Sequence, residues 1–289
     1  NSVFTCNIHG NRVNRDSLHR TDKGYVGKHE RDFLFANDPW FRGVCVKVGP
    51  DGGLYVADWT DTGECHNYQV ADTSNGRIYK VTFGTPKAWT QDVSKMTDGE
   101  LVQAQLSKNE WLVRHARRVL QERAAAGKVD PKTADDLRTI LVGNRDPGRQ
   151  LRAAWALHAI GRLDERDWLT LKLHEEPSVR AAATALVFEP ANLRLLDKTD
   201  AAWLADDRSV LVRRVLAGSA HRLDGEGAHR AMLSLTNGTT DRDTSLMRWY
   251  AVQRWMQASD QNADEALTLA ATGPEDEIVV KSIFRYYLT

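Results

Sequence analysis

Two different rhythms of apolar and polar positions run along this chain. Up to about Thr85 the apolar residues are sparse and alternate over short stretches. Leu54, Val56 and Asp58 interleave with Tyr55, Ala57 and Trp59, and Arg77 to Phe83 alternates again. Alternation of this kind puts successive side chains on opposite faces of a strand. Pro50-Asp51-Gly52-Gly53 and Asn75-Gly76 are turn signals beside these strands, since Pro fixes φ and Gly accepts positive φ. Val44 to Val48 reads as a further strand. A hairpin this small cannot bury both faces by itself, so it calls for a larger sheet system, and the blade of a β-propeller is the natural candidate.

From about Asp98 the rhythm becomes helical. Gly and Pro thin out while Ala, Leu, Arg and Glu rise. An acidic residue or Asn precedes a basic residue by five or six positions, and an apolar stripe follows. The instances are Asn109/Arg114, Asp146/Arg152, Glu175/Arg180, Asp207/Arg213, Asp243/Arg248 and Asp276/Lys281. The basic residues are 38, 28, 33, 35 and 33 positions apart, a period in the range of helical repeats. Each opens a helix, and a shorter helix precedes it at Thr133 to Leu141, Glu165 to Leu173, Ala201 to Ala205 and Gly227 to Leu235. The acidic residues fall at helix starts, where they cap free N–H groups and complement the dipole. The Arg-x-x-Ala pattern of the second helices resembles HEAT repeats. The expected fold is therefore mainly α: a HEAT-like α-solenoid at 88–289, preceded at 1–87 by antiparallel hairpins that form the last blade of a partial β-propeller.

Charge narrows the function classes. Lys plus Arg and Asp plus Glu are equal at 39, with 12 of each sign through Asp98 and 27 of each beyond. A balanced chain without a basic half has no electrostatic footprint for nucleic acid. No apolar run is long enough for a membrane span, and no signal peptide is visible. The chain opens on Asn-Ser-Val-Phe and reads as a fragment of a longer protein. Cys6, Cys45 and Cys65 make no Cys-x-x-Cys pair, so zinc knuckles and haem attachment are not indicated. They can be three thiols, or one disulfide and a thiol.

The N-terminal region concentrates polar side chains. His9, His19, His29 and His66 fall in the first 66 residues together with all three cysteines. His9 and Asn11 sit in the loop-like run Asn7-Ile8-His9-Gly10-Asn11-Arg12. Asp58, Asp61, Glu64 and His66 cluster at the end of a strand and in the loop after it. Carboxylates there suit calcium, and His with carboxylate suits a transition metal. The alternative is that Asp58 and Asp61 bond loop amides and His66 is structural. Asn37-Asp38-Pro39-Trp40-Phe41-Arg42-Gly43 is a second cluster. Arg42 suits an anionic ligand and Trp40 a planar ring or sugar, or else the two serve a salt bridge and core packing. Antiparallel pairing of Val44–Val48 with Leu54–Asp58 places Arg42 and Asp58 at one end of the hairpin.

The strings TCNIHGNRVNRDSLHR, DFLFANDPWFRG, GPDGGLYVADWTDTGECH and NGRIYKVTF resemble one family, the large membrane-bound dehydrogenase-like proteins of planctomycetes and their relatives. That family is similar to soluble sugar dehydrogenases that use pyrroloquinoline quinone. The resemblance implies a six-bladed propeller, then HEAT-like repeats, and often a cytochrome c domain carrying haem. It implies a periplasmic or cell-surface location and an oxidoreductase activity for the whole protein, with pyrroloquinoline quinone, calcium and haem c as cofactors there and none held by this chain alone. In that setting the helical part is an interaction scaffold for a protein or carbohydrate partner. The competing reading is a non-catalytic protein- or carbohydrate-binding module.

Overall fold

The computed structural model describes residues 2–21, 24–60, 72, 74–85, 88–196, 200–223, 242–272 and 276–288. Strands β1 (Ser2–Asn7), β2 (Arg12–Thr21), β3 (Gly24–His29) and β4 (Leu34–Phe35) form one antiparallel sheet, in which β2 pairs with the other three. Strands β5 (Phe41–Val48), β6 (Leu54–Thr60) and β7 (Arg77–Val81) form a second, with β6 in the middle. Val13, Phe41 and Val56 are the buried centre of this region, and Cys6, Leu34, Ala36, Val46 and Tyr79 pack round them.

The helices are α1 (Asp98–Ala104), α2 (Glu110–Ala125), α3 (Thr133–Gly143), α4 (Pro147–Ala159), α5 (Glu165–Lys172), α6 (Pro177–Val187), α7 (Asp200–Ala205), α8 (Val210–Ser219), α9 (Arg242–Met256), α10 (Asp260–Thr272) and α11 (Glu277–Leu288). The chain divides into two compact units, 1–96 with 106–116, and 97–105 with 117–289.

The fold is thus mixed, two small antiparallel sheets followed by a helical part, and this corrects the expectation of a mainly α chain, a HEAT-like solenoid preceded by a propeller blade. Among the described residues the two sheets are open and close into neither a barrel nor a propeller. The first sheet escaped the sequence reading for a physical reason. Its β1 is exposed on both faces through Thr5, so selection for a buried face never imposed an apolar alternation there. The expected helix at Gly227–Leu235 and the residues Asp61, Glu64, Cys65 and His66 lie outside the described residues.

Local chemistry explains the helix boundaries. Pro147 and Pro177 open α4 and α6 at positions whose N–H would be unpaired anyway. Asp146 caps α4 by accepting from the N–H groups of Gly148 and Arg149. Thr97/Glu100 and Asp164/Asp167 are reciprocal capping boxes. Gly161 ends α4 at φ +67°, where an L side chain would be strained, and the Arg162 N–H reaches back to the Leu157 carbonyl.

Packing then joins the helices in series. α3 lies on α4, α5 on α6, and α7 on α8, while α4 packs on α6, α6 on α8, α8 on α9, and α9 on α11. Buried Ala153, Ala154, Ala156 and Ala183 keep the backbones close, and Leu157, Val187, Leu216 and Trp255 fill the volume. Arg114, Arg152, Arg180, Arg213 and Arg248 all lie within α2, α4, α6, α8 and α9 respectively. Two of them bridge forward to the next loop. Arg180 donates through Nε and Nη2 to Asp207 at 2.7 and 2.8 Å, and Arg248 donates to Asp276 at 2.8 Å. Arg114 differs in being exposed.

A second set of charges sits on the preceding helices. Arg138 of α3 bonds Asp167 and Asp164, and Lys172 of α5 bonds buried Asp200 at 2.7 Å, with its Nζ 5.8 and 5.7 Å from the ring centres of Trp168 and Trp203. No helix of the described residues is long and apolar enough to cross a membrane.

Candidate functional site

Of the residues singled out by sequence, Asn11, Trp40, Arg42 and Asp58 lie at one end of the β5–β6 hairpin. The turn that sets this hairpin is tight: the Gly49 N–H donates to the Gly53 carbonyl at 2.8 Å, and Gly52 returns a bond to Gly49 at 3.0 Å. A methyl group on Gly49 would come within 2.2 Å of the Tyr55 ring, so the ring keeps this place only beside a glycine. The register then sets Arg42 opposite Trp59 and Gly43 opposite Asp58, and Arg42 and Asp58 do lie at the same end.

Asp58 is fully used by its neighbours. Its Oδ1 accepts the backbone N–H of Arg42 at 2.8 Å, and its Oδ2 faces Arg77 Nε at 3.3 Å. The side chain is completely buried. Arg77, set across from Asp58 on β7, also donates through Nη2 to Asp38 Oδ2 at 2.5 Å. Asp38 Oδ1 accepts the Trp40 N–H at 2.9 Å, which shapes the turn into β5. The hydrogen bond from Arg77, and then the N–H of Trp40, hold the Asp38 carboxyl below the usual carboxylate range. The same bond raises the Arg77 guanidinium further. Its carbon lies 5.4 Å from the Tyr79 ring centre, and Tyr79 tilts against Phe41 at 5.9 Å. One arginine therefore ties two carboxylates across three segments, at the edge of the buried centre.

Asn11 and Arg42 are also engaged in holding backbone. Asn11, at φ +50°, donates through Nδ2 to the Phe41 carbonyl at 2.7 Å. Arg42 Nη1 donates to the carbonyls of Pro39 and Phe41, both at 2.9 Å. The strand start at Pro39–Arg42 is thus held from both sides, and the Pro39 and Phe41 carbonyls each find a donor. Trp40 is half-buried, and His9 is exposed in the β1–β2 turn, apart from these contacts.

Of the metal candidates, Asp58 is described and already carries two partners, while Asp61, Glu64 and His66 lie outside the described residues. Among the described residues no three His, Cys, Asp or Glu side chains are grouped to hold a metal ion.

Sequence reasoning missed Arg77 and the role of Asp38. Arg77 follows the Asn75-Gly76 turn signal directly, but its register against Asp58 is set across residues 59–76, which no count from that turn fixes. It also missed a polar cluster on β2 and β3. His29 lies between Asp16 at 3.2 Å and Asp32 at 3.5 Å, and Ser17 bonds His19 at 2.8 Å and Glu30 at 2.6 Å.

The outward side of the second sheet is chemically different. Trp59 is 52 % exposed, and Ile78, directly across from Ala57, is 77 % exposed. Val44, at the irregularity between Gly43 and Cys45, is 55 % exposed. Large apolar side chains gathered on one sheet, rather than scattered singly, are the uncommon arrangement on a water-facing surface.

Comparison with known proteins adds one finding. No curated protein matches this chain. Residues 1–85, the stretch that contains all seven strands of the described residues, match the family model described as a domain of unknown function, DUF7133.

Proposed function

We propose that this chain acts by binding, as a protein-recognition module, and not by catalysis. The observation that carries this reading is the contrast between the two sides of the β5–β6–β7 sheet. On the inner side Asp38, Asp58 and Arg77 saturate one another and the backbone. On the outer side Trp59, Ile78 and Val44 stand in water. Exposed Trp and branched aliphatic side chains desolvate readily and anchor protein interfaces. A sugar site would need donors and acceptors beside the ring, and Ile78 and Val44 supply neither.

The test has a catalytic arm and a binding arm. The purified chain is assayed for oxidation of sugars and alcohols with an artificial electron acceptor, pyrroloquinoline quinone and calcium. The proposal expects no turnover above a blank, and turnover overturns it. For binding, a photo-cross-linking residue is placed at Ile78 and, separately, at exposed Arg118 on α2. Cross-linking to one defined protein from Ile78 only, lost on Trp59→Ala without a fall in melting temperature, supports the reading. Binding to a glycan panel through Trp59 would replace it with carbohydrate recognition.

A further inference from the structure

The outer strands of the two sheets are not guarded alike. An edge strand turns every second N–H and C=O towards water, and folded proteins blunt such edges with short length, irregularities, charge or a covering element. β1 and β5 pack against each other, and β5 also carries the irregularity between Gly43 and Cys45. β4 has two residues. β3 holds Gly24 and Gly27, which weaken a strand, and an exposed Lys28. β7 has none of these devices. Its register against β6 is regular over all five residues, Arg77 to Val81, and it contains neither Gly nor Pro. Among the described residues β6 is its only backbone partner.

The two charges of β7 do not guard it either. Arg77 is tied to Asp38 and Asp58, and Lys80 to Asp51, with its Nζ 5.6 Å from the Tyr55 ring centre. Both cations are engaged within their own sheet. Ile78 and Lys80 lie on the exposed face of the strand, and Arg77, Tyr79 and Val81 on the half-buried one. The strand is also complementary to itself. Laid antiparallel on a second β7 about Tyr79, it sets Ile78 against Lys80, Arg77 against Val81, and Tyr79 against its own copy. Exposed positions then meet exposed ones, and no like charges face each other. A slip of one residue mixes the two faces. Centring on Lys80 opposes two lysines, and centring on Ile78 leaves Lys80 and Val81 beyond the paired strand. Pairing about Tyr79 alone uses all five residues.

We propose that two copies of this chain associate edge to edge through β7, joining their three-stranded sheets into one about a two-fold axis at Tyr79. Backbone hydrogen bonds between the two strands supply the affinity, and Ile78 of each copy covers the aliphatic stem of Lys80 in the other. A two-fold contact uses the same edge on both copies, so the assembly stops at the dimer. This goes beyond the reading of the outer face, because it takes the backbone of β7 and leaves Trp59 on β6 and Val44 on β5 in water. The two readings fail separately: Trp59→Ala tests the face, and the sign of a charge at position 78 tests the edge.

The experiment is sedimentation equilibrium of the full chain across a dilution series, on wild type, Ile78→Lys and Ile78→Glu. Ile78 is 77 % exposed, so both variants should melt as wild type does. Wild type should reach twice the chain mass and dissociate on dilution. Ile78→Lys sets lysine against Lys80 twice in each dimer and should weaken it by about tenfold or more. Ile78→Glu sets a carboxylate against Lys80 instead, and should keep the dimer and make it sensitive to salt. The opposite outcomes of two equally polar replacements are the signature of this register. A wild-type chain that is monomeric throughout, equal weakening by Lys and Glu, or growth beyond the dimer would each overturn the proposal. Should either variant fail to fold, amide hydrogen exchange on wild type decides: amides of 77–81 must gain protection as concentration rises, and protection independent of concentration refutes the pairing.

Discussion

Replacing Asp207 by Ala should cost the helical unit about 3 kcal/mol, the low end for breaking a buried ion pair by removing one partner. Arg180 is 5 % exposed, and Asp207 receives two of its N–H groups at 2.7 and 2.8 Å. Removing the carboxylate leaves a buried guanidinium without its counter-charge. The low end applies because Arg180 Nη1 keeps the carbonyls of His174 and Glu175 at 2.7 and 2.9 Å. For a unit of this size the loss corresponds to a fall of roughly 6–12 °C in melting temperature.

The pair also fixes a pH signature. Burial pushes the Asp207 carboxyl up, but the bonds from Arg180 and the Ser209 N–H, with the charge of Arg213, outweigh it and hold the folded value low. A depressed carboxylate stabilises fully above its unfolded pKa of about 4, and that stability is lost as pH falls through the folded value. The gap between wild type and variant should therefore be largest near neutrality and close in acid.

The assay is urea unfolding followed by circular dichroism, on Asp207→Ala, Arg180→Met and the double variant. Arg180→Met/Asp207→Leu should recover most of the loss, because the desolvation of both charges disappears with them. A cost below about 1 kcal/mol for Asp207→Ala, or no recovery in the apolar double variant, would refute the argument.

Two further outcomes test the N-terminal unit. Asp58→Ala should destabilise it by about 2–3 kcal/mol in urea titration, since the Arg42 N–H and Arg77 lose a buried acceptor, and unchanged stability would reopen its reading as a ligand. The carbon-detected titration of Asp38 should fall below 3.8 and return towards it in Arg77→Met, because Arg77 supplies the leading cause of the depression. The stability that this carboxylate lends is accordingly present above about pH 4 and lost as pH drops through its lower folded value.

The helical part was readable because its signals are local. Pro147 and Pro177 at helix starts, Asp146 and Asp164 as caps, and the spaced arginines each act within a turn or two of chain. What was not readable is who meets whom across distance. Asp207 was grouped with Arg213, six residues on, yet its carboxylate bonds Arg180 of the preceding helical pair and offers Arg213 only its backbone carbonyl. Asp58 looked like a ligand because its strand-end position is conspicuous, while its partner Arg77 lies beyond a long insertion. The four-stranded sheet was missed because a strand wetted on both faces carries no period. Neither hydropathy nor a count from the Asn75-Gly76 turn sets Arg77 beside Asp58, because residues 59–76 lie between them.

The closeness of Gly49 to Tyr55 has a consequence for how this segment can change over generations. With the ring 2.2 Å from where a methyl group would stand, the two positions form one unit of inheritance. A first mutation to any larger residue at 49 meets the ring and forces it out of its place. A first mutation at 55 to a small residue removes the obstacle, at the cost of the contact between the ring and Lys80. Relatives of this chain that carry a side chain at 49 should therefore be enriched in those without the aromatic ring at 55.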